Sequence, residues 1–153
     1  MRSYKVAERR RFVTKKAADI LESVFNGYTE AGYLGHAQAH KYLISFINKF
    51  NSIPDSVKFF LYDLLAEESY HTGNTETAAE AVSMAERYLP AARSETSRQF
   101  TEYLPKLRFL ERGIGFFTEL GEYEKALALC DQAISFDLGK SYESKRRSIE
   151  RMT

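Results

Sequence analysis

Gly121-Glu122-Tyr123-Glu124-Lys125-Ala126, followed by Ala133-Ile134-Ser135-Phe136-Asp137, is the stretch on which the fold is decided. A glycine closes one helix, the chain reverses, and small residues return one and two turns into the next helix, where they let two helices approach closely. The same spacing stands 48 residues upstream as Gly73, Ala78, Ala85 and Pro90, and 41 residues before that as Gly32, Ala37 and Ile44. Three recurrences of one helix-turn-helix design are the mark of a repeat architecture.

Working outward, the apolar residues keep a period near 3.6. Val13, Ala17, Ile20, Leu21, Val24, Phe25 and Tyr28 predict a first helix, and Ala37, Ala39, Tyr42, Leu43, Phe46, Ile47 and Phe50 a second, antiparallel to it. Pro54-Asp55 opens a third helix with Val57, Phe60, Leu61, Leu64 and Leu65 buried, which His71-Thr72-Gly73-Asn74 ends. Thr75 is the expected N-cap of a fourth helix that stops near Pro90. Phe100, Tyr103, Leu104, Leu107, Leu110, Ile114 and Phe117 hold phase through Pro105, so one helix from about Glu95 to Leu120, kinked at the proline, is expected over two helices meeting there. Ala126 to Phe136 form the next helix, and Ser141 to Met152 a last one, charged on most faces.

The chain resembles the tetratricopeptide repeat family. The resemblance rests on Leu110, Phe117, Gly121, Tyr123, Ala126, Ala133 and Asp137, on Tyr62, Leu65, Ala66, Gly73, Ala78, Ala85 and Pro90, and more weakly on Leu21, Tyr28, Gly32 and Ala37. It departs from the family pattern at Lys41, Ile44, Gly113, Ile114 and Leu138, and its spacings exceed the family's repeat, so long-helix relatives fit best. The resemblance implies an all-α fold, a right-handed solenoid of three antiparallel helix pairs at about 18–51, 57–92 and 107–140, with 141–153 as a polar capping helix. It also implies a single domain whose concave face, lined by the first helix of each pair, is the functional surface.

Composition agrees with a soluble helical domain. The chain has 153 residues, 44% apolar, 14% aromatic and 28% charged, with only eight Gly and three Pro, too few for the turns of a strand-rich fold. A folded chain of this size hides roughly 70% of its unfolded surface and needs no metal or disulfide to hold a core. A lone Cys130, the lack of a signal-like N-terminus and the lack of an apolar run long enough for a membrane span make the cytoplasm the expected location. The net charge of +1 is uneven: residues 1–16 carry +6, residues 140–153 carry +3, and the waist between them −8. A basic stripe through the body is missing, so nucleic acid is not the expected partner. The acidic waist of one copy receiving the basic end of another makes a homodimer possible.

Enzymatic signals are weak. His36 and His40 stand one turn apart, a spacing that can hold zinc, but the glutamate of a metalloprotease motif is missing and an accidental pair is the plainer reading. Cys130 lies on an apolar stripe as a small core residue. Gly113 and Gly115 are read as packing glycines. No cofactor is expected. The positions that the family resemblance assigns to the concave face are Asp19, Glu22, Asn26 and Glu30 in the first unit, Phe60, Asp63, Glu67, Tyr70 and His71 in the second, and Arg108, Glu111 and Arg112 in the third. These are solvated faces or an acidic-to-mixed groove for a basic or amphipathic protein segment, with Tyr70 and Phe60 as apolar anchors. The expected function is a non-enzymatic scaffold or adaptor. A secretion-type chaperone and a peptide-sensing regulator linked to nucleic-acid binding through Arg9 to Lys16 are the alternatives.

Overall fold

The helical periodicity of the sequence is realised in an all-helical fold among the described residues. A computed structural model describes the backbone of residues 2–49 and 52–153 and the side chains of residues 16–49 and 52–153. The basic cluster from Arg2 to Lys15, and Phe50 of the second stripe, lie outside the described side chains. The described residues form α1 (Arg2–Gly32), α2 (His36–Lys49), α3 (Asp55–His71), α4 (Thr75–Glu95), α5 (Ser97–Tyr103), a 3-10 turn (Leu104–Lys106), α6 (Phe109–Glu119), α7 (Tyr123–Ser135) and α8 (Ser141–Met152).

The hairpins are α1 with α2, α3 with α4, and α6 with α7. Each is packed on the next through α2 on α3 and α4 on α6, with further contacts of α1 on α3 and α3 on α6; α8 packs on α7. The buried apolar residues form one continuous cluster. Helix α3 lies at its middle, with Val57, Phe59, Phe60, Leu61 and Leu64 hidden from solvent, because it has α1, α2, α4 and α6 around it. Edge-to-face aromatic contacts run through this centre: Phe25 on Phe60 (5.9 Å), Phe60 on Phe59 (5.2 Å) and Phe59 on Phe109 (5.8 Å). Such pairs each contribute roughly 0.5–1.5 kcal/mol beyond the area they bury.

Three sequence expectations are corrected. Helix α4 does not stop at Pro90; it runs through it to Glu95, and the exposed proline gives up a backbone bond on the solvent side. Its N-cap is Asn74, whose side chain accepts the Thr77 N–H (3.2 Å), in place of Thr75. The single kinked helix from Glu95 to Leu120 is two helices: α5 tightens into the 3-10 turn at Pro105, Leu107 is extended (ψ 132°), and α6 begins afresh at Phe109. The apolar phase carried across this break because Tyr103, Leu107 and Phe109 all point into the core, in whatever local conformation places them there.

The turns show how far the repetition extends. Gly73 and Gly121 are both left-handed (φ 73° and 75°), and the N–H after each bonds back across the helix end: Asn74 to the Ser69 carbonyl, Glu122 to the Phe117 carbonyl, both 2.9 Å. Gly32, expected as their counterpart, is still helical, and the left-handed glycine of that turn is Gly35. The left-handed glycine of the first hairpin thus comes three residues later, in a turn with a different hydrogen-bond pattern.

The two helical glycines of α6 differ. A Cβ on Gly113 would come within 2.6 Å of Leu129 Cδ1 and 2.9 Å of Val82 Cγ1, whereas one on Gly115 would meet nothing within 4 Å. Gly113→Val is expected to destabilise the fold by roughly 1–3 kcal/mol through overpacking, and Gly115→Ala to stabilise it by up to about 1 kcal/mol through helix propensity. Urea unfolding of the two variants should displace the midpoint in opposite directions.

Candidate functional site

The chain break before α6 is built around one carboxylate. Asp63 of α3 is fully buried and accepts the Tyr103 hydroxyl (2.5 Å to Oδ2), the Arg108 N–H (3.0 Å to Oδ1) and the Phe109 N–H (2.7 Å to Oδ1). It therefore caps the first amides of α6 from another helix, supplying partners that a helix start lacks. Burial raises the Asp63 carboxyl to about 6, against the Tyr103 hydroxyl and the Phe109 and Arg108 amides, which favour its charged form. Tyr103 also stacks on Phe25 (5.7 Å) and meets the Phe60 ring edge-on (5.1 Å), so the insert of α5 and the 3-10 turn lies over α1 and α3. Phe60 is a core residue, as the buried stripe of the third helix predicts, and so is Asp63; neither lines the open groove to which the family resemblance assigns them. The physical reason is that residues 96–108 cover them.

A second set of polar contacts crosses the C-terminal end of α3. Buried Glu68 accepts the Tyr28 hydroxyl of α1 (2.5 Å) and His36 Nδ1–H at the start of α2 (2.8 Å). Burial and the Glu68 carboxylate together push the Tyr28 hydroxyl above its usual range. Glu67 takes a fork from Arg112 of α6 (Nε to Oε2, 2.7 Å; a terminal N to Oε1, 3.0 Å) and His71 Nε2–H (2.9 Å). Its burial opposes ionisation, but Arg112 and His71 outweigh it and hold the carboxyl below its ordinary value. The His36 and His71 rings stack 4.1 Å apart, and the Arg112 guanidinium lies 3.9 Å over the Tyr70 ring. His36 and His40 are thus separated in role: His36 belongs to this network, while His40 is half-buried and its Nε2 has no hydrogen-bond partner among the described residues. Among the described residues no group of three or more His, Cys, Asp or Glu side chains is arranged to hold a metal. Cys130 is a core residue, and burial pushes its thiol up.

Open clefts among the described residues include an apolar one and a more polar one. One, of about 690 Å³, lies between the facing ends of α3 and α4, the outer face of α6 and one side of α8. Its floor is Ala78, Val82, Ile114 and Ile149, and Tyr70, Phe116 and Met152 add apolar walls. Glu111, Glu119, Arg112 and Lys145 stand at its rim. The other, of about 610 Å³, runs between α1 and the insert and is more polar, with Asp19, Glu22 and Asn26 opposite Glu102, Lys106 and Arg108.

The expected site residues are therefore divided. Tyr70, Glu111 and Arg112 reach the apolar cleft; Asp19, Glu22, Asn26 and Arg108 reach the polar one. Glu67 and His71 are tied into the ridge between hairpins, and Glu30 is exposed near the end of α1 in neither cleft. Sequence reasoning missed Phe116, Ile149 and Met152. The signal was present in Lys145, Ile149 and Met152, one helical stripe on an otherwise charged helix. Among the described residues no helix is long and apolar enough to cross a membrane. In comparisons with known proteins, the chain matches no family model, no curated protein and no solved structure.

Loss of the buried carboxylate in Asp63→Ala should cost about 2–4 kcal/mol, since two backbone amides and a tyrosine hydroxyl are orphaned in the core. The pH dependence has a definite sign. The folded carboxyl holds its proton up to about pH 6 and the unfolded one only to about 4. Folded protein therefore binds more protons between these values, and stability falls as pH rises through that window. Denaturant titrations at pH 4 and pH 7 should show wild type losing stability relative to Asp63→Asn, by on the order of 3 kcal/mol, over that interval.

Proposed function

We propose that the protein is a non-enzymatic binding scaffold, a solenoid of three helix pairs that holds a segment of a protein partner in the cleft between α4, α6 and α8. The observation that carries this reading is the cleft itself. An apolar floor and walls are left open beside a rim of charged side chains, the composition of a surface that excludes water around a few anchors. Its size suits a run of side chains from a helix or extended segment, and Tyr70, held by Arg112 against its ring, is a rigid aromatic anchor at one wall. The stacking of successive hairpins supports the solenoid reading, because such arrays leave inter-helix grooves uncovered. The groove moves toward the C-terminal units because residues 96–108 fill the corresponding space over the second unit.

Gly115 provides the test, since it lines the cleft and a Cβ there meets nothing within 4 Å. Gly115→Trp should leave thermal stability unchanged or slightly raised and remove the native partner from cross-linked complexes in its own cells. Recovery of the same partners at the same yield with the tryptophan in place would refute the cleft as the binding site.

A further inference from the structure

Five large apolar side chains among the described residues are exposed: Tyr33 (84%), Leu34 (77%), Leu120 (59%), Tyr70 (57%) and Met152 (54%). They come from four places in the sequence and share one place in the fold. Tyr33 and Leu34 form the α1–α2 turn, Tyr70 is at the end of α3, Leu120 is in the α6–α7 turn, and Met152 ends α8. The His36–His71 stack joins the first two turns, and the apolar cleft brings Tyr70, Glu119 and Met152 together, so all lie at the same end of the helix array. Scattered single apolar residues are normal on a surface, but their collection at one end is the mark of an interaction surface.

The tips are preformed. Leu34 N–H bonds to the Ala31 carbonyl (3.0 Å), Gly35 N–H to the Gly32 carbonyl (3.1 Å), and Gly121 N–H to the Thr118 carbonyl (3.1 Å). Little ordering would be needed on binding.

Charge selects the occupant. Within the turns and the first or last helical turn at this end, Glu30, Glu76, Glu119 and Glu124 form no ion pair among the described residues. Lys125 is paired with Glu122, and Arg112 and His71 with Glu67. Among the described residues in these turns, Arg151 alone stands against the four carboxylates without an ion pair. Such an edge attracts a cationic surface and repels an anionic lipid one.

We propose that this end of the molecule is a docking edge for a cationic amphipathic helix of a protein partner, laid across the turn tips toward the mouth of the apolar cleft. It rests on the scaffold reading above and adds the partner's chemistry and the surface it covers. With helix axes roughly 8–10 Å apart, the edge from the α1–α2 turn to the end of α8 spans roughly 25–30 Å, about 17–20 residues of partner helix at 1.5 Å each.

The probe is a fluorescein-labelled 18-residue peptide of leucine and lysine with apolar residues at helical spacing, read by anisotropy beside its glutamate-for-lysine counterpart. The lysine peptide should bind at least tenfold more tightly than the glutamate peptide at low salt, with the gap narrowing as salt is added. Tyr33→Ser/Leu34→Ser and Glu30→Lys/Glu119→Lys should each weaken it roughly tenfold. Glu95→Lys, at the opposite end of α4, should not. All these positions are exposed, and circular dichroism would check that the helices persist. Equal binding of both peptides, loss of affinity in Glu95→Lys equal to that in the edge variants, or stronger binding to phosphatidylglycerol vesicles than to the lysine peptide would overturn the edge. Native complexes that survive both edge substitutions but not Gly115→Trp would overturn it while leaving the scaffold reading in place.

Discussion

A single buried carboxylate organises the middle of this protein. Asp63 receives the Tyr103 hydroxyl and the first two amides of the chain leading into α6, and so one side chain holds the insert down and starts the next helix. A polar group so deep is tolerated only because its lone pairs are filled. Without it, the α6 amides would be unpaired beneath Phe59 and Phe60, and the third hairpin would lose the anchor that fixes its position on the second.

The neighbouring glutamates extend the same device outward. Glu68 ties α1 and α2 to α3, and Glu67 ties α6 to α3, so three consecutive hairpins are registered by carboxylates on one helix. Each exchanges solvation for fixed donors, and the exchange demands orientation in a way that apolar contacts do not. This explains why α3 can be buried on nearly every side while carrying acidic residues. Those residues face neighbouring helices at the points where a hydroxyl, an imidazole or a guanidinium meets them.

The same arrangement decides which apolar surface stays open. Residues 96–108 occupy the space over α1 and α3, and the carboxylates nearest it are already engaged. Open apolar surface is displaced to the cleft beside α8 and to the turn tips, both at one end of the helices. Helices and hydrogen-bonded turns present that surface.

Helix positions, hairpin pairing and the buried stripes were legible in the sequence, because a period of 3.6 and turn glycines act over a few residues and need no knowledge of distant neighbours. Cys130 in the core could be read in the same way. The fate of Asp63 could not, since it depends on Tyr103 and Arg108 some forty residues away. Nor could the break at Pro105, where apolar phase persisted although the helix did not, or the gathering of Tyr33, Leu120 and Met152 at one end. Local pattern determines which residues seek burial. Only the packed chain decides which partners satisfy them and which surface remains uncovered, because burial and hydrogen bonding are settled by contacts between segments that the sequence holds far apart.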